Sequence, residues 1–140
     1  MAVDKKAIFG ELIEQGFNSG NLDALDSIFA PGFVEHQDGM RPPNGQGVKN
    51  AILALRGAFP DMHLEIEDII EHEDKTWARM TARGTHRGSL MGEPPTGKSY
   101  VITVIDICRF EGDRISEHWG IADQFSLMRQ LGMLQRPQAA

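Results

Sequence analysis

The spacing of hydrophobic positions changes from a helical period to an alternating one part-way along the chain. Over residues 4–17 they fall at Ile8, Phe9, Leu12, Ile13 and Phe17, one stripe of an amphipathic helix. Asp4 stands where an N-cap belongs, and the polar stretch from Asn18 to Asn21 breaks the pattern. A second helical run over 22–30 turns Leu22, Leu25, Ile28 and Phe29 inward, with Asn21 as its expected cap and Pro31-Gly32 as its expected end. Phe33, Val34 and Glu35 then lead to His36 in a short strand. Residues 37–47 carry three Gly and two Pro and read as a loop. A third helix is predicted over 48–60, with Val48, Ile52, Leu55 and Phe59 on one face and Pro60 as its stop.

From Asp61 onward the period is two. Residues 63–68 alternate polar and apolar, Ile69 and Ile70 run on towards a turn at 71–75, and residues 77–86 alternate again. In that second strand Ala78, Met80, Ala82, Gly84 and His86 share one face. Trp77, Arg79, Thr81, Arg83 and Thr85 share the other. Residues 87–98 form a Gly- and Pro-rich loop. Tyr100–Phe110 and Ile115–Gly120 then read as two strands joined at Glu111-Gly112-Asp113, where the glycine supplies the backbone freedom of a short hairpin turn. Asp123 is placed to cap a last helix that stops at Gly132, and the tail over 135–140 has nothing to bury and is expected to fray. Helices set apart from a mainly antiparallel sheet imply an α+β fold, a strongly bent sheet wrapped over helices as a cone with a pocket inside. No repeat or linker interrupts the 140 residues, so one domain is expected over 1–140, with its ordered core at about 4–134.

Charge narrows the partners. The net charge is −6 and no basic run is present, so nucleic acid is not an expected partner. No apolar run reaches membrane-spanning length, and the N-terminus lacks the apolar stretch of a signal peptide. The single cysteine, Cys108, makes neither an intrachain disulfide nor a cysteine-based zinc site. These features give the expectation of a reduced, cytoplasmic protein.

The candidate chemistry centres on Asp106, the one carboxylate in the apolar strand 100–110. A buried acid is costly unless paired, hydrogen-bonded or neutral. In an antiparallel hairpin His118 can lie beside it on the same face. Asp106 therefore reads either as a general acid or base, or as a structural acid held by a buried hydrogen bond. His118 reads as its orienting partner or an oxyanion stabiliser, or as a core histidine. His36 reads as a pocket-mouth residue or a surface histidine, and His86 reads as structural. A metal site of His36, His86, Asp106 and His118 lacks any local ligand spacing, so none is expected. Phe33, Met40, Met80, Met91, Trp119 and Phe125 are core residues by type, and some of them can line an apolar cavity.

Four segments carry a resemblance: residues 18–36, the helix ending Ala58-Phe59-Pro60-Asp61, residues 82–98, and residues 105–132, which hold Glu117-His118-Trp119. Together they resemble the SnoaL-like polyketide cyclases, also called ester cyclases, which share the cone-shaped fold of nuclear transport factor two and ketosteroid isomerase. The resemblance covers about Phe17 to Gly132. It implies ring closure by intramolecular aldol condensation, acid/base side chains in the cone, and no metal or cofactor. His118 matches a pocket histidine of those cyclases, and Asp106 falls where they can have a polar pocket residue, there a histidine. Their acid/base aspartate lies two residues after the matched histidine, and here that position is Gly120. Either a roomier pocket or compensation by Asp106 is then expected. The resulting site expectation is Asp106 and His118 as catalytic residues, with His36, Phe33, Met80, Trp119, Gly120 and Asp123 as substrate contacts. The functional expectation is cofactor-independent acid/base chemistry, as cyclase, isomerase or hydrolase, on a small apolar carbonyl compound. The alternative is a non-catalytic ligand-binding or scaffold domain, because of Gly120. A homodimer or higher assembly through the outer sheet face is also expected.

Overall fold

The structure, a computed structural model, describes residues 2–134. The tail over 135–140, where fraying is expected, lies outside the described residues. The first helical stripe forms α1 (Lys5–Glu11), which runs directly into a π-helical segment, Leu12–Asn18. Asp4 caps α1 by accepting from the Ala7 N–H at 3.0 Å. Asn18 ends the π segment and ties it to the sheet: its side-chain oxygen accepts from the Leu64 N–H at 2.8 Å, and its amide donates to the Leu64 carbonyl at 2.9 Å.

The second helical run is shorter than its stripe suggests. It consists of a 3₁₀ turn, Leu22–Ala24, and α2, Leu25–Ile28. Phe29 and Ala30 belong to β1 (Phe29–Glu35). The residue before a proline is pushed to extended backbone, so Pro31 ends the helix upstream of itself. Pro31 is tolerated in β1 because that strand is an edge of the sheet. Asn21 caps nothing with its side chain, which donates instead to Gln15 Oε1 at 3.3 Å. The third helix, α3 (Gly45–Ala58), starts three residues before Val48. Asn44 sets that start by accepting from the N–H groups of Gln46 and Gly47.

The strands are β2 (His63–His72), β3 (Lys75–Thr85), β4 (Ser99–Glu111) and β5 (Arg114–Ala122), followed by α4 (Gln124–Gln130), which Asp123 caps through the Ser126 N–H at 3.0 Å. They form one curved, unclosed sheet in the order β1-β5-β4-β3-β2. β1 runs parallel to β5, and every other pairing is antiparallel. The alternation in β3 is obeyed: Ala78, Met80, Ala82, Gly84 and His86 are buried, while Trp77, Arg79 and Arg83 are exposed. In β2 a bulge between Ile66 and Asp68 resets the phase, so that Ile69 rather than Ile70 turns inward. The inner face of the sheet and the helices share one core, in which Phe9, Leu25, Ile52, Phe59, Met80 and Ile115 are fully enclosed.

Two helical glycines separate a packing need from a mere propensity cost. A Cβ on Gly47 would run into the Pro42 carbonyl, whereas one on Gly10 meets nothing within 4 Å. Gly47→Ala is expected to lose about 1–3 kcal/mol by overpacking, and Gly10→Ala to gain about 0.5–1 kcal/mol. Urea unfolding of the two variants checks the opposite signs.

Candidate active site

The β4–β5 register sets Asp106 opposite Gly120 and Cys108 opposite His118. Residues two apart on a strand share a face, so Asp106, Cys108, His118 and Gly120 all turn inward. His118 Nε2 lies 3.2 Å from Asp106 Oδ1. The contact is an ion pair that is poorly aligned for a hydrogen bond, and Asp106 Oδ1 is buried without a hydrogen-bond partner. The other ring nitrogen is tightly held. His118 Nδ1 lies 2.6 and 2.9 Å from the two carboxylate oxygens of Glu35. Glu35 reaches it because β1 pairs with β5 and sets Glu35 beside His118. The three side chains are almost completely enclosed: Glu35, Asp106 and His118 retain 4%, 6% and 6% exposure.

An imidazole between two carboxylates favours its charged form. Burial alone would lower the His118 pKa. The charge and contact of Asp106, together with the hydrogen bond and charge of Glu35, outweigh it and raise the value from 6.5 to about 10. His118 is therefore an imidazolium at neutral pH. Cys108, beneath it, is a neutral thiol: burial holds its pKa well above the ordinary value, and the charges of Asp106 and Glu35 add to the effect.

Asp106 also borders a partly open cavity of about 100 Å³. Its walls are mainly apolar, with Phe17, Met40, Phe59, Ile102, Val104 and Leu127 among them, and Gln37, Tyr100 and Gln124 supply polar groups. Burial pushes the Tyr100 hydroxyl well above its usual pKa, with the charge of Asp61 adding to it, so that hydroxyl stays neutral. The space beside Gly120 is filled rather than roomy. A Cβ there would meet Gln37 Oε1, Asp106 Oδ1 at 2.6 Å and His118 Cε1 at 2.8 Å. The Asp106 carboxylate, from the strand opposite, is among the groups that occupy this space.

Several expected substrate contacts lie elsewhere. His36 and Trp119 are on the outer face, one residue out of phase with Glu35 and His118. Their rings stack at 4.8 Å, and His36 Nε2 pairs with Glu117 Oε2 at 2.7 Å. Phe33 is buried against Phe29, with ring centroids 4.0 Å apart, beside a separate external groove. Met80 is enclosed in the core and does not border the cavity, and Asp123 is an exposed cap whose neighbour Gln124 borders it instead. His86 is fully buried and structural. Its Nδ1 accepts from the Thr96 N–H at 3.1 Å and holds the 87–98 loop. Of His36, His86, Asp106 and His118 only the last two are in contact, and among the described residues no group of three or more His, Cys, Asp or Glu is disposed to hold a metal ion. Glu35 and Gln37 are the site residues that sequence reasoning missed. Phe33 and Glu35 share strand parity, and that was the available signal.

The sequence model of the SnoaL-like polyketide cyclases matches residues 8–131. The chain belongs to that family. It is 29% identical over 125 residues to the aklanonic acid methyl ester cyclase DauD of Streptomyces sp. (strain C5), covering 84% of this chain and 76% of the relative. It is 28% identical to the aklanonic acid methyl ester cyclase DnrD of Streptomyces peucetius, covering 84% of each. Among solved structures, IdmH of Streptomyces antibioticus superposes with a TM-score of 0.81 at 34% identity, over 92% of this chain and 99% of that one. TsrD from Streptomyces laurentii superposes with a TM-score of 0.82 at 27% identity, over 92% and 95%. Membership supports a small-molecule function of cyclase or isomerase type. No helix among the described residues is long and apolar enough to cross a membrane.

The raised pKa of His118 fixes a sign for the pH dependence of stability. Its contribution is complete below about pH 6.5, the value in the unfolded chain. It declines above that and is lost as pH rises through about 10. His118→Gln leaves two buried carboxylates unpaired, and about 3–5 kcal/mol of stability is expected to go at pH 6. The gap to the parent should close towards pH 10 in urea unfolding. A gap of constant size would contradict the assignment.

Proposed function

We propose that the protein catalyses cofactor-independent acid/base chemistry on a small, largely apolar carbonyl compound. Asp106 serves as the proton-transferring base and His118 as its charged support. The observation that carries this reading is the buried Asp106 carboxylate, which sets Oδ1 3.2 Å from His118 Nε2 and borders an apolar cavity. A carboxylate in such a place is poised to take a proton from carbon next to a carbonyl, and His118⁺ offsets the negative charge that develops. The two relatives are aklanonic acid methyl ester cyclases, which supports the cyclase member of this class. Asp106 takes the role that the aspartate two residues after the histidine has in the resembled cyclases. Asp106→Asn is expected to keep the fold and lower turnover by about 10²–10⁴-fold. The check is chromatography of isomeric products from a panel of carbonyl compounds that includes aklanonic acid methyl ester. Equal turnover by parent and variant removes Asp106 from the mechanism.

Gly120 favours one other reading, a pocket of the same fold that binds without chemistry. Native mass spectrometry discriminates the two. A retained, unmodified small molecule with no turnover across the panel supports binding alone.

We also propose a cytoplasmic homodimer that buries the outer sheet face. Ile70, Trp77 and Ile107 line up across β2, β3 and β4, and Ile105 and Ile121 are exposed beside them. Light scattering at micromolar concentration is expected to give twice the chain mass of 15.5 kDa, and Trp77→Lys to shift it to the monomer. A parent protein of monomer mass contradicts the assembly.

A further inference from the structure

The dipeptide Glu-His stands on both strands of the parallel pair, as Glu35-His36 in β1 and Glu117-His118 in β5. The register sets Val34 opposite Glu117 and Glu35 opposite His118. Alternation then gives each face of the sheet one carboxylate and one imidazole. On the inner face Glu35 meets His118. On the outer face His36 Nε2 lies 2.7 Å from Glu117 Oε2. β4 completes both sets. It brings Asp106 to the inner one, and to the outer one Arg109, whose Nε donates to Glu117 Oε1 at 2.6 Å. The same three strands thus carry opposite charge patterns on their two faces. From β4 to β1 the inner set runs carboxylate, imidazolium, carboxylate. The outer set runs guanidinium, carboxylate, imidazole.

The outer set is a clasp across β4, β5 and β1. Both oxygens of Glu117 are engaged, and the hydrogen bonds from His36 and Arg109 hold its pKa below the usual carboxylate range. An ionised carboxylate only accepts, so the facing His36 Nε2 carries a proton. The Trp119 ring, stacked at 4.8 Å and 7°, fixes the plane of the His36 ring. β1 needs such a restraint. Its register with β5 breaks between Phe29 and Val34, so the start of the strand does not fix the stagger of the end that carries Glu35. There the His36 backbone N–H donates to the His118 carbonyl at 2.9 Å.

We propose that His36 and Glu117 are positioning residues, whose contact on the outer face sets the stagger of β1 on β5 at which Glu35 meets His118. The inference rests on the charged arrangement of Glu35, His118 and Asp106, and it gives neither residue a contact with substrate. A slip of one residue would exchange the faces and separate both pairs. A smaller slip lengthens the 2.6 Å contact of Glu35 with His118, and the protonation of His118 registers that change. The titratable groups beside His118 are Glu35 on β1, Asp106 on β4 and the neutral Cys108 thiol. Arg109, and Glu111 beyond it, accompany Glu117 on the outer face.

The test is a pH titration of the intact protein, labelled with ¹³C and ¹⁵N in histidine and followed by ring NMR. Parent His118 is expected to stay doubly protonated through neutral pH and to titrate at about 10. His36→Ala is expected to lower that midpoint by about one unit. His36→Gln, whose amide N–H can still donate to Glu117, is expected to restore it. The sign separates the clasp from a charge effect, because removing positive charge from the outer face would raise the His118 midpoint. Glu117→Asp, which keeps the charge and shortens the reach, is expected to give the same fall. Midpoints at or above the parent's in both His36→Ala and Glu117→Asp overturn the inference and leave the charged site standing. A parent midpoint near 6.5 overturns the reading on which the inference rests. Exchange of the His118 Nδ1 proton with water at neutral pH is a second measurement. It is expected to be faster in His36→Ala than in the parent and His36→Gln, and equal rates in all three count against the clasp.

Discussion

The site depends on one buried arrangement of charge, an imidazolium between two carboxylates. Removing His118 from water carries a penalty that only charge partners can offset. Glu35 supplies the aligned hydrogen bonds, and Asp106 supplies charge at 3.2 Å without alignment. The division of labour has a chemical consequence. The carboxylate with good geometry is committed to orientation, and the one with poor geometry keeps an oxygen free beside the cavity. Replacing the triad by apolar side chains would leave a packable core, so stability is a weak explanation for its presence.

Gly120 fits the same logic. A strand position opposite Asp106 with no side chain is what allows the Asp106 carboxylate, Gln37 and the His118 ring to meet at one point. The fold hosts many activities and does not by itself choose among them. On the proposed reading the choice falls to these few groups beside an apolar cavity.

Most of the fold was legible because periodicity speaks directly about burial. The stripe from Ile8 to Phe17, the alternation of β3 and the Glu111-Gly112-Asp113 turn each follow from a local rule. The boundary at Phe29 was not, since an amphipathic stripe continues through residues that the following proline forces into a strand. In the site, Asp106 and His118 were legible as a hairpin pair. Glu35 was not, because its partner lies 83 residues away through a parallel pairing that no local pattern announces. His36 drew attention as a histidine, yet parity with Phe33 puts it outside. Trp119 is out of phase with His118 for the same reason.

The charge state of the triad is the point on which both the stability and the chemistry turn. A neutron crystal structure of the deuterium-exchanged protein at pH 7 reads it directly. Deuterium on both ring nitrogens of His118, with none on Asp106 Oδ1, is the required result. A singly protonated His118 ring beside an Asp106 that carries the deuterium would contradict it.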